Sequence, residues 1–273
     1  MLSMTTDFAA GTGDPGPHLT AIADAGFDAV HWCHEWNTDH VYEPAEVAGL
    51  RRRLEDLGLT VTDLHASKGQ ARDWTSLDER ERAAGVGLVR NRMEMARELG
   101  TDVIIMHLPD LSDPARADSS RGQWLKSLEE LEPVSRETGV RIALENGKPW
   151  SIPAIEQALE TWAPDYLGLC WDSGHSNLYP GALDELERNA SRLISIHLHD
   201  NDGTGDQHRR PFTGTVDWER LMAVIARSSY SKWVNLETSM RNTDIPEVAD
   251  FLRANFEAAG RLARMLETRR ERA

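Results

Sequence analysis

A chain of 273 residues with 40% hydrophobic and 27% charged side chains can bury a substantial core, which excludes a disordered polypeptide. Its formal charge of -15 opposes any partner held through phosphates, so neither nucleic acid nor an acidic membrane surface is expected as a ligand. The two cysteines, Cys33 and Cys170, sit in apolar stretches without CxxC spacing; with no signal pattern and no long apolar span, a reducing, cytoplasmic location is expected.

The first apolar run, LSMTTDF (2–8), leads into GTGDPG (11–16). That spacing fits G-x-G-x-x-G, yet Pro15 and Pro17 stand where a phosphate-cradling turn needs free N–H groups, so the stretch reads as a loop into a helix. Seven more apolar runs follow: DAVHWCHEW (28–36), TVTDLHA (60–66), DVIIMHL (102–108), VRIALEN (140–146), YLGLCWD (166–172), LISIHLH (193–199) and KWVNLE (232–237). Between them lie EVAGLRRRLEDLG, LVRNRMEMARELG, WLKSLEELEPVSRETG and IPAIEQALETWA, with apolar residues three and four apart, several closed by Gly. The tail from Asp244 reads as a last helix. Eight strand–helix units without a linker predict an α/β fold, a (β/α)8 TIM barrel, as one domain over 1–273.

In such a barrel the chemistry sits at the C-terminal ends of the strands. Strands three to eight end in His65, His107, Glu145, Asp172, His197 and Glu237, and His175, Asp206 and His208 follow closely. Residues two apart on a strand share a face, so the Val, Ile and Leu of strands five to eight can pack against helices while these groups turn into the mouth. Strand three is less clean, because Thr62 shares the face of Leu64. Taken singly, a strand-end histidine is more often a hydrogen-bonded core residue than a ligand. Together, buried carboxylates and imidazoles without a compensating cation would be costly. The segment HLHDNDGTGDQH (197–208), with three histidines and three aspartates, supplies both a strand-end ligand and a loop returning over the mouth; His199 is assigned to the rim or to orienting a ligand rather than to coordination.

The segments ALENG around Glu145, CWDSGHSN around Asp172 and His175, IHLHDN around His197, DQH with Asp206 and His208, and NLETS around Glu237 extend over nearly the whole chain. With them the chain resembles the xylose-isomerase-like barrel superfamily, which includes sugar-phosphate isomerases and epimerases and endonuclease IV. The resemblance implies a divalent metal (Mn, Zn, Co, Mg or Fe) held by Glu145, Asp172, His197 and Glu237. It also implies that Glu145 and Glu237 act as acid and base in isomerising or epimerising a sugar, sugar phosphate or keto-polyol through a metal-stabilised enediolate. Endonuclease IV uses further positions matching His65, His107, His175, Asp206 and His208 to hold three zinc ions; here these five are either extra ligands or substrate contacts, so one metal is expected and up to three are open.

Trp32 and His34, with Glu35 and Trp36, are placed at the pocket wall or the rim. Lys148, Arg209 and Arg210 are placed on a substrate phosphate or carboxylate, with plain surface charge as the alternative. Where the family has P-G-x-G after D-x-H, this chain has Pro211-Phe212-Thr213-Gly214, which leaves the substrate open. The rival readings are a multinuclear-metal phosphoesterase of the endonuclease IV type, a dehydratase on the same scaffold, and a barrel that binds without turnover. The absence of a basic stripe favours a small-molecule substrate over DNA. A homo-oligomer is left open.

Overall fold

The computed structural model describes residues 1–112 and 114–271. Eight strands run β1 (Leu2–Thr5), β2 (Ala29–Trp32), β3 (Thr60–His65), β4 (Val103–His107), β5 (Arg141–Glu145), β6 (Leu167–Asp172), β7 (Leu193–His197) and β8 (Val234–Leu236). Helices α1 (Gly16–Asp24), α2 (Pro44–Leu57), α3 (Glu79–Leu99), α4 (Pro114–Thr138) and α5 (Ser151–Thr161) follow the first five strands in turn. Two short helices, α6 (Ser173–Ser176) and α7 (Ala182–Asn189), join β6 to β7; α8 (Trp218–Arg227) precedes β8 and α9 (Val248–Arg270) ends the chain.

All strand pairs are parallel, in the order β7-β6-β5-β4-β3-β2-β1-β8. The ring closes between β7 and β8 at a single bridge just beyond the end of β7. There Leu198 N–H donates to the Asn235 carbonyl at 2.9 Å and Glu237 N–H to the Leu198 carbonyl at 3.2 Å. The protein is therefore a (β/α)8 TIM barrel, as its strand–helix alternation predicts. No helix among the described residues is long and apolar enough to cross a membrane.

The pleat sorts the side chains. Ile142, Leu144, Leu167, Leu169, Trp171, Ile196, Val234 and Leu236 face the helices in one continuous core. The interior is divided: Val103, Ile105, Ala143 and Cys170 form an apolar cluster on the β4–β6 side. His31, Asp63, Ser195 and Asn235 are wholly buried in linked polar contacts on the other.

Several elements differ in length from their sequence patterns. β2 stops at Trp32 rather than Trp36, because Glu35 turns to a φ of 58°. α3 begins nine residues before the expected LVRNRMEMARELG. Its start is capped by the Asp78 carboxylate, which accepts from the N–H groups of Arg80 and Glu81. The apolar periodicity is hidden there because a charged residue, Arg82, occupies a core-facing position. It is 1% exposed and bonded to Glu79, Glu130 and the Ser127 hydroxyl.

Two glycines of α3 give a test of this packing. A Cβ on Gly85 would lie 2.1 Å from the Trp74 backbone nitrogen, whereas one on Gly87 meets nothing within 4 Å. Gly87→Ala should stabilise the fold by about 0.5–1 kcal/mol through helix propensity. Gly85→Ala should destabilise it by about 1–3 kcal/mol, because rigid backbone must move. Urea unfolding of the two variants would show opposite signs; equal signs would contradict the α3 packing.

Candidate functional site

Strand register carries the site. His107 lies opposite Glu145 across β4 and β5, and Asp172 lies opposite His197 across β6 and β7, so four candidate ligands meet at one level of the mouth. His197 Nδ1 is 3.2 Å from Glu145 Oε2 and 3.2 Å from Glu237 Oε2. His65 Nε2 stands 3.5 Å from Glu237 Oε1 and 3.8 Å from Glu145 Oε2, and His107 Nε2 is 3.4 Å from Glu145 Oε2. His175 Nδ1 lies 3.4 Å from Glu145 Oε1 and 3.6 Å from Asp172 Oδ1.

The loop after β7 returns over this cluster. Asp206 Oδ2 is 3.3 Å from His175 Nε2 and 3.1 Å from His208 Nε2, and the His208 backbone holds a φ of 47°. Of the two duties expected of His199, the structure shows the orienting one rather than the rim. It is fully buried, its Nε2 donates to Asp172 Oδ2 at 2.9 Å, and its ring stacks on His208 at 4.0 Å. The nine residues His65, His107, Glu145, Asp172, His175, His197, Asp206, His208 and Glu237 thus form one connected group.

Electrostatics show how tightly they are bound together. Burial would raise the Glu145 and Glu237 carboxyls, but the surrounding imidazoles, chiefly His107 and His197 for Glu145 and His197 for Glu237, hold both well below the usual range. Burial would lower His197, yet Cys170, Glu237 and Glu145 raise it well above the ordinary histidine value. His208 is likewise pushed up to about 10 against its burial, mainly by Asp206, whereas burial takes His107 down to about 4.

Neither Glu145 carboxylate oxygen, nor either His197 ring nitrogen, has a hydrogen bond of good geometry. A buried carboxylate without donors costs several kcal/mol. Glu145 and Glu237 converge on His197, with Asp172 opposite it on β6; oxygen and nitrogen donors of this kind suit a divalent cation, which would satisfy the orphaned Glu145 and His197 atoms.

The remaining predicted residues fall in different places. Trp32 does not line the mouth: it is 1% exposed, faces the helix side, and donates its indole N–H to the Tyr42 hydroxyl at 3.2 Å. An inward residue of β2 lies one position away, so the alternation that turns His31 in turns Trp32 out. Trp36 covers the cluster instead, stacking on His65 at 4.9 Å and approaching His107 at 5.6 Å. Its loop is held from behind by buried Arg92, whose guanidinium donates to the carbonyls of Glu35 and His40 and lies over the Tyr42 ring at 4.4 Å.

His34 is buried beside His18, with no hydrogen bond on either ring nitrogen and no contact to the carboxylates within the described ion pairs. Lys148 is exposed on the loop after β5. Arg209 pairs with Asp202 at 3.2 Å, and with Arg210 it borders a separate depression lined also by Thr213, Asn242, Thr243 and Asp244, none of them in the cluster. Phe212, where the family pattern has glycine, adopts a φ of 70° and packs away from the mouth between Trp218 and the Arg261 guanidinium. A groove of 680 Å³ is bordered by Tyr42, Arg51, Glu94 and Arg97, and no member of the cluster lines it.

Sequence patterning missed His31 and Asp63. Each sits two positions before an inward group, Cys33 and His65 respectively, so the same alternation identifies them. His31 Nδ1 donates to Asp63 Oδ1 at 2.5 Å inside the barrel.

Comparison with known proteins now gives this geometry a family. A family model described as xylose isomerase-like TIM barrel matches residues 19–255. The chain belongs to that family. Among curated relatives, the uncharacterised protein y4fM of Sinorhizobium fredii is 29% identical, over 93% of this chain and 90% of its own length. Among solved structures, L-ribulose 3-epimerase superposes with a TM-score of 0.79 at 17% identity, covering 99% of this chain and 96% of that one. The IOLI protein, solved with a zinc atom, superposes with a TM-score of 0.76 at 15% identity, covering 96% and 97% of the two chains. At these identities the structural matches establish the shared barrel.

One contact in the site is testable by packing alone. A Cβ on Gly174 would lie 1.9 Å from the His199 ring, so Gly174→Ala must push that ring off Asp172. A loss of about 1–3 kcal/mol is expected, largely relieved in the double variant with His199→Ala. Additive effects in a double-mutant cycle would show that the two residues do not touch.

Proposed function

We propose that this chain is a divalent-metal-dependent isomerase or epimerase acting on a small sugar or related keto-polyol, free or phosphorylated. The observation that carries the reading is the pair Glu145 and Glu237, buried on either side of His197 at 3.2 Å from the same nitrogen, with the Glu145 oxygens lacking donors. Glu145, Asp172, His197 and Glu237 would hold the cation. A cation there would supply Lewis-acid polarisation of a substrate carbonyl and offset the negative charge that proton loss leaves on its oxygen.

The chain's own groups do the rest. Glu145 and Glu237 reach the site from β5 and β8, on different sides of the bound sugar, so one can remove a proton from the carbon next to the carbonyl and the other can return one. Asp172 is oriented by two donors, the His199 ring and the His175 backbone N–H, and so presents its carboxylate in one rotamer. Trp36 offers an aromatic face above His65 and His107 on which a sugar's C–H groups can lie, and it excludes water from that side. Membership of a family whose solved neighbours include an L-ribulose 3-epimerase supports this substrate class.

A hydrolytic reading on phosphoesters has one observation in its favour, the junction of all nine candidate ligands, which is more than one cation needs. Cleavage of abasic duplex DNA, abolished in Glu145→Ala, would establish it; none is expected, given a net charge of -15.

Two measurements check the main reading. Chelator-stripped protein should regain stability with Mn²⁺, Co²⁺ or Zn²⁺, by about 2.7 kcal/mol at a hundredfold excess over Kd, and Asp172→Ala or His197→Ala should weaken the gain. A melting temperature indifferent to all three metals removes the cation. Turnover of a ketose, aldose or inosose in deuterated water should place deuterium beside the carbonyl, and Glu145→Gln or Glu237→Gln should suppress it, with metal content measured alongside. Turnover without solvent label would instead indicate a hydride shift.

A further inference from the structure

β2 brings to the inner edge of the site a second set of donors that the four-ligand reading leaves unused. His31 and Cys33, two positions apart, both point into the barrel. The His31 Nδ1–H is anchored on Asp63, which also accepts from the Ser195 hydroxyl and from Asn235 Nδ2 at 3.4 Å. That anchoring fixes the ring and its tautomer and leaves Nε2 directed at the cluster. It is the arrangement in which a carboxylate orients a metal-binding histidine.

The other donors are already close. His31 Nε2 lies 3.8 Å from Glu237 Oε1, His65 Nε2 lies 3.5 Å from the same oxygen, and Cys33 Sγ lies 3.9 Å from it. All four donor atoms fall within 4.8 Å of one another, and all four residues are buried. Tetrahedral zinc, with bonds of about 2.0–2.3 Å, needs donor separations of roughly 3.3–3.8 Å, which the three distances to Glu237 Oε1 nearly match. The exception is Cys33 Sγ to His31 Nε2, 2.9 Å, where the thiol donates to the ring; that distance opens once the thiol proton leaves. The two oxygens of Glu237 face different ways, Oε2 toward His197 and Oε1 toward this set.

We propose that His31, Cys33, His65 and Glu237 Oε1 form a second cation position, bearing a thiolate and selective for zinc, next to the sugar site. Two imidazoles, one sulfur and one oxygen would make a closed four-coordinate set with no place left for substrate, which is the closure of a structural zinc site rather than the open position of a catalytic one. Sulfur disfavours Mg²⁺ and Mn²⁺ at this position. Binding releases the Cys33 proton to solvent. Glu237 then bridges two cations and becomes the weaker base of the pair, leaving proton abstraction to Glu145. The inference rests on the metal reading of the neighbouring site only through that shared carboxylate.

Cobalt reports the sulfur directly. Full-length protein stripped by chelator and loaded with Co²⁺ should show a thiolate-to-cobalt charge-transfer band in the near ultraviolet. The band should persist in Cys170→Ser and in Asp172→Ala and vanish in Cys33→Ser, while visible cobalt absorption from the sugar site survives in Cys33→Ser. Should that variant fail to fold, zinc-edge X-ray absorption of the unmodified protein decides, a sulfur scatterer being expected at about 2.3 Å. Bound metal with only nitrogen and oxygen neighbours, or a band indifferent to Cys33→Ser, overturns the proposal and leaves the sugar-site cation standing. No uptake of cobalt or zinc at all overturns both.

Discussion

One imidazole placed between two carboxylates organises the upper half of this barrel. His197 comes within 3.2 Å of both Glu145 and Glu237, at the level where β5, β7 and β8 end. Three such groups remain there only because the strand pleat leaves no other face for them, the opposite face being filled by Leu144, Ile196 and Leu236 against the helices. Around this point each further group answers an electrostatic need. His65, His107 and His175 surround the carboxylates, Asp206 pairs with the outer histidines, and His199 orients Asp172. The lowered carboxyls of Glu145 and Glu237 and the raised imidazoles of His197 and His208 express the same mutual attraction, against which burial takes His107 down.

Much of this was legible in the sequence because period two and strand-end position are local properties. The ends of β3 to β8 could be read from residues such as Glu145 and Asp172, each following a run of alternating aliphatics. Strand three looked irregular by that rule because Thr62 shares the face of Leu64, and in the structure Thr62 is indeed buried on that side, while Asp63 points inward with His65 and pairs with His31. Trp32 was grouped at the pocket wall or rim with the other residues ending the second apolar run, whereas its parity on β2 puts it outside. The start of α3 was missed for a related reason: Arg82 is buried through an ion pair with Glu130 and a bond to Ser127, both far away in sequence, which no periodicity encodes.

The loops after the strands depend on long-range support in the same way. Trp36 reaches the cluster because Glu35 adopts a left-handed backbone and Arg92, from α3, holds the carbonyls on either side. Phe212 takes up a conformation usual for glycine, and its ring is pinned by Trp218 and Arg261, the latter from α9. Strain at these positions is compensated by contacts on the helix side, which keeps the loop backbone fixed where a substrate would meet it.

The seam between β7 and β8 has a consequence for how the site comes into being. Those strands are the first and last in the sheet order, and one bridge at Leu198 joins them. His197 and Glu237 stand on opposite banks of that seam, immediately beside the bridge. The two residues are only 40 positions apart, but setting their strands into a closed ring also requires β1 to pair with β8, Leu2 beside Val234, a long-range contact of the kind that makes folding slow. A ligand shared by the two banks would act as a clasp, and amide exchange along the lower, unbridged length of β7 and β8 would be the place where its grip is felt.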